Sequence, residues 1–356
     1  MFRRSLCIKV PKRQGEKALN LADRLKIVNN SLEVHRDEGF VYIPILNETH
    51  GDALEILKEQ VAGLEIFANV FPERKKRAKS LADLLGGKLP QNLLAGLPHS
   101  ADFVGDIAIV ELAPELEEYK IVIGEAILKT NRNVRTVLAK AGAVSGTYRL
   151  RKFNVIAGQS KTETIHKEYG CQLFVDVAKA YFSPRLSYEH HRVASLVTEG
   201  ETVVDLFAGV GPFAIPIAKT CRNVRVNAVD VNPDAVEYLK RNVRLNRVDG
   251  KIHAFLGDAR QIVDEQLLSI ADRVIMNLPE KALTFVDVAC KALKPSGGVV
   301  HFYGFVSASV SLEALKLLLV ETVQKHGRTV EACIFSRIVR ETAPHEGQAV
   351  FDVLIC

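Results

Sequence analysis

Apolar runs alternate with helical patterns throughout the C-terminal half of the chain. Five runs are typical of buried strands: 202–207, 224–230, 251–256, 273–278 and 298–303. The second intervening helix is predicted to open on Asn232-Pro233-Asp234, an N-cap residue, a proline at the first helical position and an acid in the first turn. Strands that alternate with helices in this way predict a doubly wound α/β sheet that is mostly parallel.

The end of the chain departs from this alternation. A Leu-rich helix over 312–323 follows the fifth strand, and two further strand-like runs, 329–339 and 348–354, have no helix between them. Consecutive strands without a crossover helix pair antiparallel. The pattern therefore predicts a C-terminal antiparallel hairpin at the edge of the sheet.

The N-terminal half is divided less regularly. A strand over 5–10, a helix over 17–24 and a strand over 39–45 predict a small separate module. The basic run Arg74-Lys75-Lys76-Arg77-Ala78-Lys79 then marks a boundary, and residues 74–188 mix strands and helices without a βαβ rhythm. We predict three domains, namely 1–70, 71–190 and 191–356, the first two of α+β type.

Composition narrows the class of protein. The 356 residues are 47% hydrophobic and 25% charged, as in ordinary soluble globular proteins, and no run reaches membrane-spanning length. The N-terminus turns basic again at Lys9, unlike a signal peptide, and six scattered cysteines predict a reduced, cytoplasmic protein without a metal site. The net charge of +5 agrees with a polyanionic partner but does not require one.

A glycine turn follows the first strand of the predicted sheet. The segment 203–214 contains Phe207, Gly209 and Gly211, and glycines at such a turn let the backbone approach a ligand closely. Asp230, followed by Val231, closes the next strand, where a carboxylate can accept hydrogen bonds from two ribose hydroxyls. These residues predict a nucleoside site.

Two cofactors compete for this site. Gly209-x-Gly211-x-x-Ala214 also fits the dinucleotide fingerprint of dehydrogenases. Asp205 instead gives the D-x-x-x-G-x-G form of adenosylmethionine enzymes, and Gly257-Asp258-Ala259 ends the third strand where an adenine amino group could be held. With the C-terminal hairpin, these features favour S-adenosyl-L-methionine, although a helix cap is the preferred interpretation of Asp258 taken alone.

The acceptor is indicated by Asn277-Leu278-Pro279-Glu280 at the end of the fourth strand. An amide there would lie beside the donor methyl group and could bind an exocyclic amine or a ring lactam. The segment resembles the (D/N)-P-P-(Y/F) motif of methyltransferases that act on nitrogen. Methylation of pyrimidine carbon 5 needs a thiolate nucleophile, and no cysteine stands near residues 277–280.

Four further segments carry a family resemblance: Ser145-Gly146-Thr147-Tyr148-Arg149, residues 164–170, residues 176–179 and residues 181–190. With the glycine turn, they resemble the archaeal and eukaryotic type of tRNA (guanine-N1)-methyltransferase that acts at tRNA position 37, from about residue 142 onward. The resemblance implies that an N-terminal domain checks the outer corner of the tRNA, while the middle and Rossmann-like methyltransferase domains hold the anticodon arm. Residues 1–70 match that N-terminal domain only in size and outline.

The resemblance also implies residue roles. Guanine N1 carries a proton at neutral pH, so methylation needs a general base, and Glu189 is the candidate. Arg149 would stabilise the charge that develops on O6, and Asn277 would orient the base. Tyr181 and His190 would lie against the cofactor or the flipped base. Without the resemblance, an interdomain ion pair is the preferred interpretation of Arg149 and Glu189, and a core aromatic is the preferred interpretation of Tyr181.

Three other functions remain open on the sequence. The same fold can transfer the aminocarboxypropyl group of the cofactor to a wyosine base, although Asn277-Leu278-Pro279 favours methyl transfer. The enzyme could also methylate a wyosine intermediate. A catalytically silent tRNA-binding protein is the third possibility, and the joint presence of Asp205, Asp230, Asn277, Arg149 and Glu189 disfavours it.

Overall fold

The protein is described by a computed structural model that covers residues 2–49, 51–74, 80–98, 100–343 and 345–356. Its contacts separate two compact units, Met1–Lys79 and Ser80–Cys356. Most of the predicted basic boundary, residues 75–79, lies outside the described residues. No helix in the described ranges is long and apolar enough to cross a membrane.

The first unit is a four-stranded antiparallel sheet with two helices. The strands are β1 (Phe2–Pro11), β2 (His35–Arg36), β3 (Phe40–Ile45) and β4 (Glu65–Pro72), in the order β2-β3-β1-β4. The helices are α1 (Gly15–Arg24) and α2 (Gly51–Gln60). Ile8, Val10 and Ile43 of the sheet pack with Ala18 and Leu57 of the helices in one buried cluster. The predicted strands and helix of this module are present.

The second unit begins with a smaller mixed sheet. Its strands are β5 (Asp102–Val104), β6 (Ile107–Val110), β7 (Thr136–Lys140) and β8 (Phe153–Gly158), and its helices are α3 (Leu81–Leu85) and α4 (Lys120–Thr130). Strands β6 and β7 are parallel and are joined through α4. The prediction that this region lacks a βαβ unit was therefore wrong. Strand β6 has only four residues, and a 3₁₀ turn, Pro114–Tyr119, separates it from α4, which hides the alternation.

A β-hairpin connects this sheet to the larger one. Its strands are β9 (Glu163–Glu168) and β10 (Cys171–Asp176). Tyr169 and Gly170 have φ values of 44° and 76°, as the two central residues of a type I′ turn require. The free edge of β10 is bonded by side-chain amides: Asn242 accepts from the Phe174 N–H at 2.6 Å, and Asn246 accepts from the Gln172 N–H at 2.9 Å.

The larger sheet has seven strands in the order β13-β12-β11-β14-β15-β17-β16. They are β11 (Thr202–Asp205), β12 (Arg225–Asp230), β13 (Ile252–Leu256), β14 (Arg273–Met276), β15 (Gly298–Val306), β16 (Val330–Ala343) and β17 (Glu346–Ile355). The first five are parallel, and β17 inserts antiparallel between β15 and β16. The predicted doubly wound sheet and C-terminal hairpin are both confirmed.

Helices cover both faces of this sheet. They are α5 (Ser187–Leu196), α6 (Ala214–Thr220), α7 (Pro233–Leu245), α8 (Ala259–Gln266), α9 (Val286–Ala292) and α10 (Leu312–Lys325). Val203 packs in the cluster that contains residues of α5, α6 and α7, and Val204 in the cluster with α8, α9 and α10. Successive side chains of a strand point to opposite faces, so a continuous apolar run is required where both faces are covered.

Candidate active site

A cleft lies at the carboxyl ends of the central strands, where the strand order reverses between β11 and β14. Ligands of open α/β sheets bind at this topological switch point. The predicted residues that line the cleft are Arg149, Tyr181, His190, Phe207, Gly209, Asp230, Val231, Asp258, Ala259 and Asn277. Two predicted residues, Asp205 and Glu189, are buried and are not among the described residues that line the cleft.

The glycine turn has two distinct roles. Gly211 has a φ of 93°, and a Cβ there would lie 2.6 Å from Cδ1 of Leu239, so this glycine lets the turn pack against α7. Gly209 has a φ of 54°, and the nearest atom to a Cβ there would be the Tyr181 carbonyl oxygen at 3.8 Å. A Cβ at Gly209 would therefore make only an ordinary contact, and the positive φ is what favours glycine at this position of the cleft wall.

Asp230 stands at the end of β12 and lines the cleft. Its Oδ2 accepts from the Gly209 N–H at 2.7 Å, and its Oδ1 accepts from the Asn232 N–H at 2.9 Å. Burial raises the pKa of this carboxyl, while the backbone donors partly offset the rise. Each carboxylate oxygen has a further lone pair, so Asp230 can still accept hydrogen bonds from a ribose.

Asp205 is fully buried at the end of β11. Its Oδ1 accepts from the Phe207 N–H at 3.3 Å, while Oδ2 has no hydrogen-bond partner among the described residues. Burial raises the pKa of this carboxyl to about 7. An unpartnered buried oxygen is costly, and such sites are often functional.

The far side of the cleft holds an aromatic pair and a helix N-terminus. The rings of Phe207 and Phe285 meet edge to face at 5.0 Å. Asp258 caps α8 by accepting from the Arg260 N–H at 2.8 Å, and it also lines the cleft beside Ala259. The helix-cap interpretation of Asp258 is therefore correct, and it is compatible with a role in binding.

Arg149 is held in an unusual backbone conformation over the cleft. Its φ is 56°, in the left-handed region that few non-glycine residues adopt. The guanidinium lies 4.6 Å from the ring centre of Tyr181, and it forms an ion pair with Glu280 at 3.2 Å. Its Nε is buried without a partner among the described residues. Strained residues of this kind cluster at functional sites.

Asn277 lies just beyond the end of β14. Its Oδ1 accepts a hydrogen bond of 2.9 Å from Nε2 of Gln348 on β17. Gln348 is only 1% exposed, and its own Oε1 accepts from Nε of Arg340 at 2.8 Å. The C-terminal hairpin therefore contacts the wall of the cleft at Asn277.

Glu189 is buried on α5 among cations. Its Oε2 accepts from Nε of Arg192 at 2.9 Å and from the Tyr303 hydroxyl at 3.2 Å. Its Oε1 lies 3.1 Å from a guanidinium nitrogen of Arg337. The alternative that Glu189 pairs with Arg149 is wrong, because these two residues have different partners.

The Arg192 contact continues into a buried polar chain. Arg192 binds both carboxylate oxygens of Asp352, which in turn lies 2.6 Å from Nδ1 of His301. The other ring nitrogen of His301 is 2.9 Å from Arg273, which pairs with Glu201. Because a guanidinium can only donate, His301 accepts at Nε2 and donates from Nδ1 to Asp352.

His190 follows Glu189 and lines the cleft. Its Nδ1 lies 2.7 Å from Oε1 of Glu168 on β9. Burial raises the pKa of Glu168, but the nearby imidazole of His166 at 3.7 Å and the contact with His190 at 2.7 Å outweigh it and hold the pKa at about 2. An ionised carboxylate on one ring nitrogen orients the imidazole and leaves the other nitrogen for a ligand.

The supporting residues were not found from the sequence. Gln348, Arg340, Asp352 and Arg192 carry no local motif, and each reaches its partner only through the fold. An indirect signal did exist, since buried charged or amide residues inside an apolar strand such as 346–355 need partners.

Three family models match the chain in succession. The tRNA methyltransferase 5 N-terminal domain matches residues 7–53, the TYW2 N-terminal domain matches residues 81–162, and the TRM5/TYW2 methyltransferase domain matches residues 164–331. The first match lies in the first compact unit, and the other two lie in the second unit.

Named relatives agree with these models. The tRNA (guanine(37)-N(1))-methyltransferase Trm5b of Pyrococcus abyssi is 37% identical over 98% of this chain and 98% of its own length. The tRNA 4-demethylwyosine(37)-methyltransferase Taw21 of Saccharolobus solfataricus is 35% identical over 71% of this chain and 92% of its own length.

Solved structures share the fold. The complex of aTrm5 with tRNALeu superposes with a TM-score of 0.74 at 32% identity, covering 99% of this chain and 100% of that chain. TYW2 of M. jannaschii, in complex with AdoMet, gives 0.56 at 30% identity, covering 72% and 99%. The resemblance inferred from the motifs is confirmed. The chain belongs to the TRM5/TYW2 methyltransferase family.

Proposed function

We propose that this enzyme transfers a methyl group from S-adenosyl-L-methionine to N1 of guanosine at position 37 of tRNA. One observation carries the proposal: a nucleoside-binding turn and two groups suited to a guanine edge, Arg149 and Asn277, line the same cleft. The P. abyssi relative, which is similar to this chain over 98% of both lengths, bears this activity in its name.

The cleft fits the methyl donor. Gly209 presents its backbone to the cleft without a side chain, Asp230 offers carboxylate lone pairs to ribose hydroxyls, and Phe207 with Phe285 provides an apolar wall for adenine. His190, oriented by Glu168, and Tyr181 complete the lining. When bound, the donor supplies an electrophilic methyl group on a sulfonium. TYW2 of M. jannaschii, a member of the same family, has been solved in complex with AdoMet.

The acceptor needs its N1 proton removed, and Glu189 is the proposed base. Its Oε2 is engaged by Arg192 and Tyr303, whereas Oε1 has only the ion-pair contact with Arg337 and no hydrogen bond from a described residue. Oε1 is thus the oxygen available for the proton once Arg337 moves aside. Arg192 would keep the carboxylate in place during the transfer.

Arg149 is proposed to stabilise the charge that develops on O6. Its side chain is 14% exposed, its guanidinium lies 4.6 Å from the ring centre of Tyr181, and its buried Nε has no partner among the described residues. A donor that is fixed before the reaction and shielded from water stabilises developing charge more than a solvated one. Glu280, more exposed, can release the guanidinium to the base.

The proposed RNA contacts extend beyond the cleft. A second groove shares Arg149 and Tyr181 with it and is lined by Lys140, Arg151 and Arg185. Basic side chains in a groove bind a phosphate backbone, so this groove is proposed to hold the anticodon arm. The N-terminal unit is proposed to recognise the outer corner of the tRNA, and a family member has been solved with tRNALeu.

A second candidate function uses the same cleft. The similarity to the 4-demethylwyosine methyltransferase of S. solfataricus favours methylation of a wyosine intermediate at the same tRNA position. Aminocarboxypropyl transfer at the same tRNA position is the third candidate, and the Asn277-Leu278-Pro279 segment disfavours it.

One experiment separates these functions. The protein is incubated with donor and with tRNA carrying either guanosine or 4-demethylwyosine at position 37, and the nucleosides are identified by mass spectrometry. We expect N1-methylguanosine from the first tRNA. Product only from the second tRNA, or a product heavier by an aminocarboxypropyl group, would overturn the proposal.

A further inference from the structure

A line of hydrogen bonds crosses from the donor side of the cleft to the acceptor side. The guanidinium of Arg340 donates to the Tyr181 hydroxyl at 3.2 Å, to the Ser183 hydroxyl at 2.9 Å and to Oε1 of Gln348 at 2.8 Å. Gln348 then donates to Asn277 at 2.9 Å. Tyr181 and Asn277 both line the cleft, while the two residues between them belong to β16 and β17.

The direction of each bond in this line is fixed by chemistry. A guanidinium has donors only, so the Gln348 atom that faces Arg340 must be its oxygen. The Gln348 NH2 group therefore faces Asn277, and the Asn277 atom that receives it must be Oδ1. Amide orientation is normally ambiguous, but the donor-only guanidinium removes the ambiguity for both side chains.

The consequence concerns what Asn277 offers to a substrate. With Oδ1 turned toward β17, its NH2 group is directed away from Gln348, and no described residue accepts a hydrogen bond from it. An NH2 group in the cleft binds an acceptor atom, such as the oxygen of a lactam, whereas an amine at the same place would set two donors against each other.

We infer that Arg340 and Gln348 are positioning residues that set the polarity of Asn277, so that the acceptor site selects a base with a lactam oxygen. The inference rests on the proposed function and deepens it, because guanine has this oxygen beside N1 and adenine has an amine there. Arg340 also donates hydrogen bonds to Tyr181 and Ser183, so the orientation of Asn277 is linked to the segment that borders the donor site.

Gln348→Glu is the test variant. The new carboxylate still accepts from Arg340 but cannot donate, so Asn277 must turn its NH2 group toward it and present oxygen to the cleft. We expect single-turnover methylation of guanosine-37 tRNA to slow by about 10- to 100-fold, the usual effect of an unpaired polar contact in a specific site. Calorimetric affinity for S-adenosyl-L-methionine should stay within about threefold of wild type, since the donor contacts are unchanged.

A double-mutant cycle distinguishes orientation from mere structure. In an Asn277→Ala background the amide is gone, so Gln348→Glu should cause no further slowing. Equal fold-losses in both backgrounds would overturn the inference. Gln172→Glu is the matched control, because it adds the same charge to β10 outside the cleft and should leave the rate unchanged.

Variants of Arg340 give a second test, which remains valid if the Gln348→Glu variant does not fold. Arg340→Lys keeps a donor-only group and should retain most of the rate, whereas Arg340→Met frees Gln348 to turn and should slow transfer in the wild-type but not in the Asn277→Ala background. Equal rates for the Lys and Met variants would contradict the inference. Failure of wild type to form N1-methylguanosine would instead remove the proposed function, and the inference with it.

Discussion

Nε of Arg192 donates a hydrogen bond of 2.9 Å to Oε2 of Glu189, one turn earlier on the same helix. Arg192 is itself anchored through both oxygens of the buried Asp352. The anchored guanidinium of Arg192 therefore fixes Oε2 of Glu189, the proposed base. Its Oε1 has no hydrogen bond from a described residue. Preorganisation of this kind holds a catalytic group in productive geometry.

Replacement of the proposed base should affect chemistry more than stability. Glu189→Gln keeps the shape but cannot take the N1 proton, so single-turnover methylation should slow by roughly 10²–10⁴-fold. Glu201→Gln is the control, since it removes a carboxylate–guanidinium pair from the same buried chain outside the cleft. Stopped reactions at saturating tRNA and donor measure both rates. If methylation by both variants slowed by the same small factor, Glu189 would have a structural role only.

Arg149 should contribute to the transition state rather than to binding. Arg149→Ala removes the donor proposed for O6, and kcat should fall by about 10²–10³-fold, as for loss of one oxyanion donor. Arg151→Ala changes a residue of the neighbouring groove only, so it should raise KM for tRNA and leave kcat nearly unchanged. Steady-state kinetics separate the two effects, and a pure KM change for Arg149→Ala would remove its catalytic role.

Asp205 should make the stability depend on pH. Burial raises its pKa to about 7 in the folded protein, well above the usual value, so the folded state binds a proton that the unfolded state lacks between about pH 4 and 7. Stability should then rise as the pH falls through this window, by up to about 1.4 kcal/mol per pH unit from this group.

Asp205→Asn removes the titrating group and keeps the size. Urea unfolding at several pH values between 5 and 8 should show that the difference in unfolding free energy between variant and wild type shrinks toward acid pH. A difference that is independent of pH would mean that Asp205 stays ionised throughout, in conflict with the cost of a buried, unpartnered oxygen.

The N-terminal unit should serve recognition and not chemistry. A protein that starts at Ser80 keeps the whole cleft and the buried clusters of the second unit. It should methylate an isolated anticodon stem-loop at a rate close to that of the full chain, while its preference for whole tRNA over the stem-loop is lost. Complete inactivity of a truncated protein that retains a cooperative melting transition would count against this division of roles.

The fold of the methyltransferase domain could be predicted because short segments of the sequence specify its strands, turns and helix caps. Strands β11 to β15 are short apolar runs, and the Asn232 cap of α7 forms as its sequence predicts. The βαβ unit of residues 107–140 was missed because a four-residue strand carries too little pattern. Cleft-lining residues such as Asp230 were found because strand ends and turns are marked in the sequence.

The residues that orient the site could not be predicted in the same way. Gln348 and Asn277 are 71 positions apart, and Arg192 and Asp352 are 160 apart. Their pairing depends on the insertion of β17 between β15 and β16, which no short segment specifies. The sequence also could not tell that Glu189 lies among Arg192, Arg337 and Tyr303 rather than against Arg149.

The position of β17, between β15 and the edge strand β16, has a consequence for biosynthesis. This strand carries Gln348 and Asp352, so it contributes to the support of both Asn277 and Glu189, yet a ribosome makes it after every other element of the site. A nascent chain can form the parallel strands and the glycine turn beforehand, but its cleft lacks these supports. Asn277 and Arg192 therefore gain these buried partners only after residues 346–355 have left the exit tunnel.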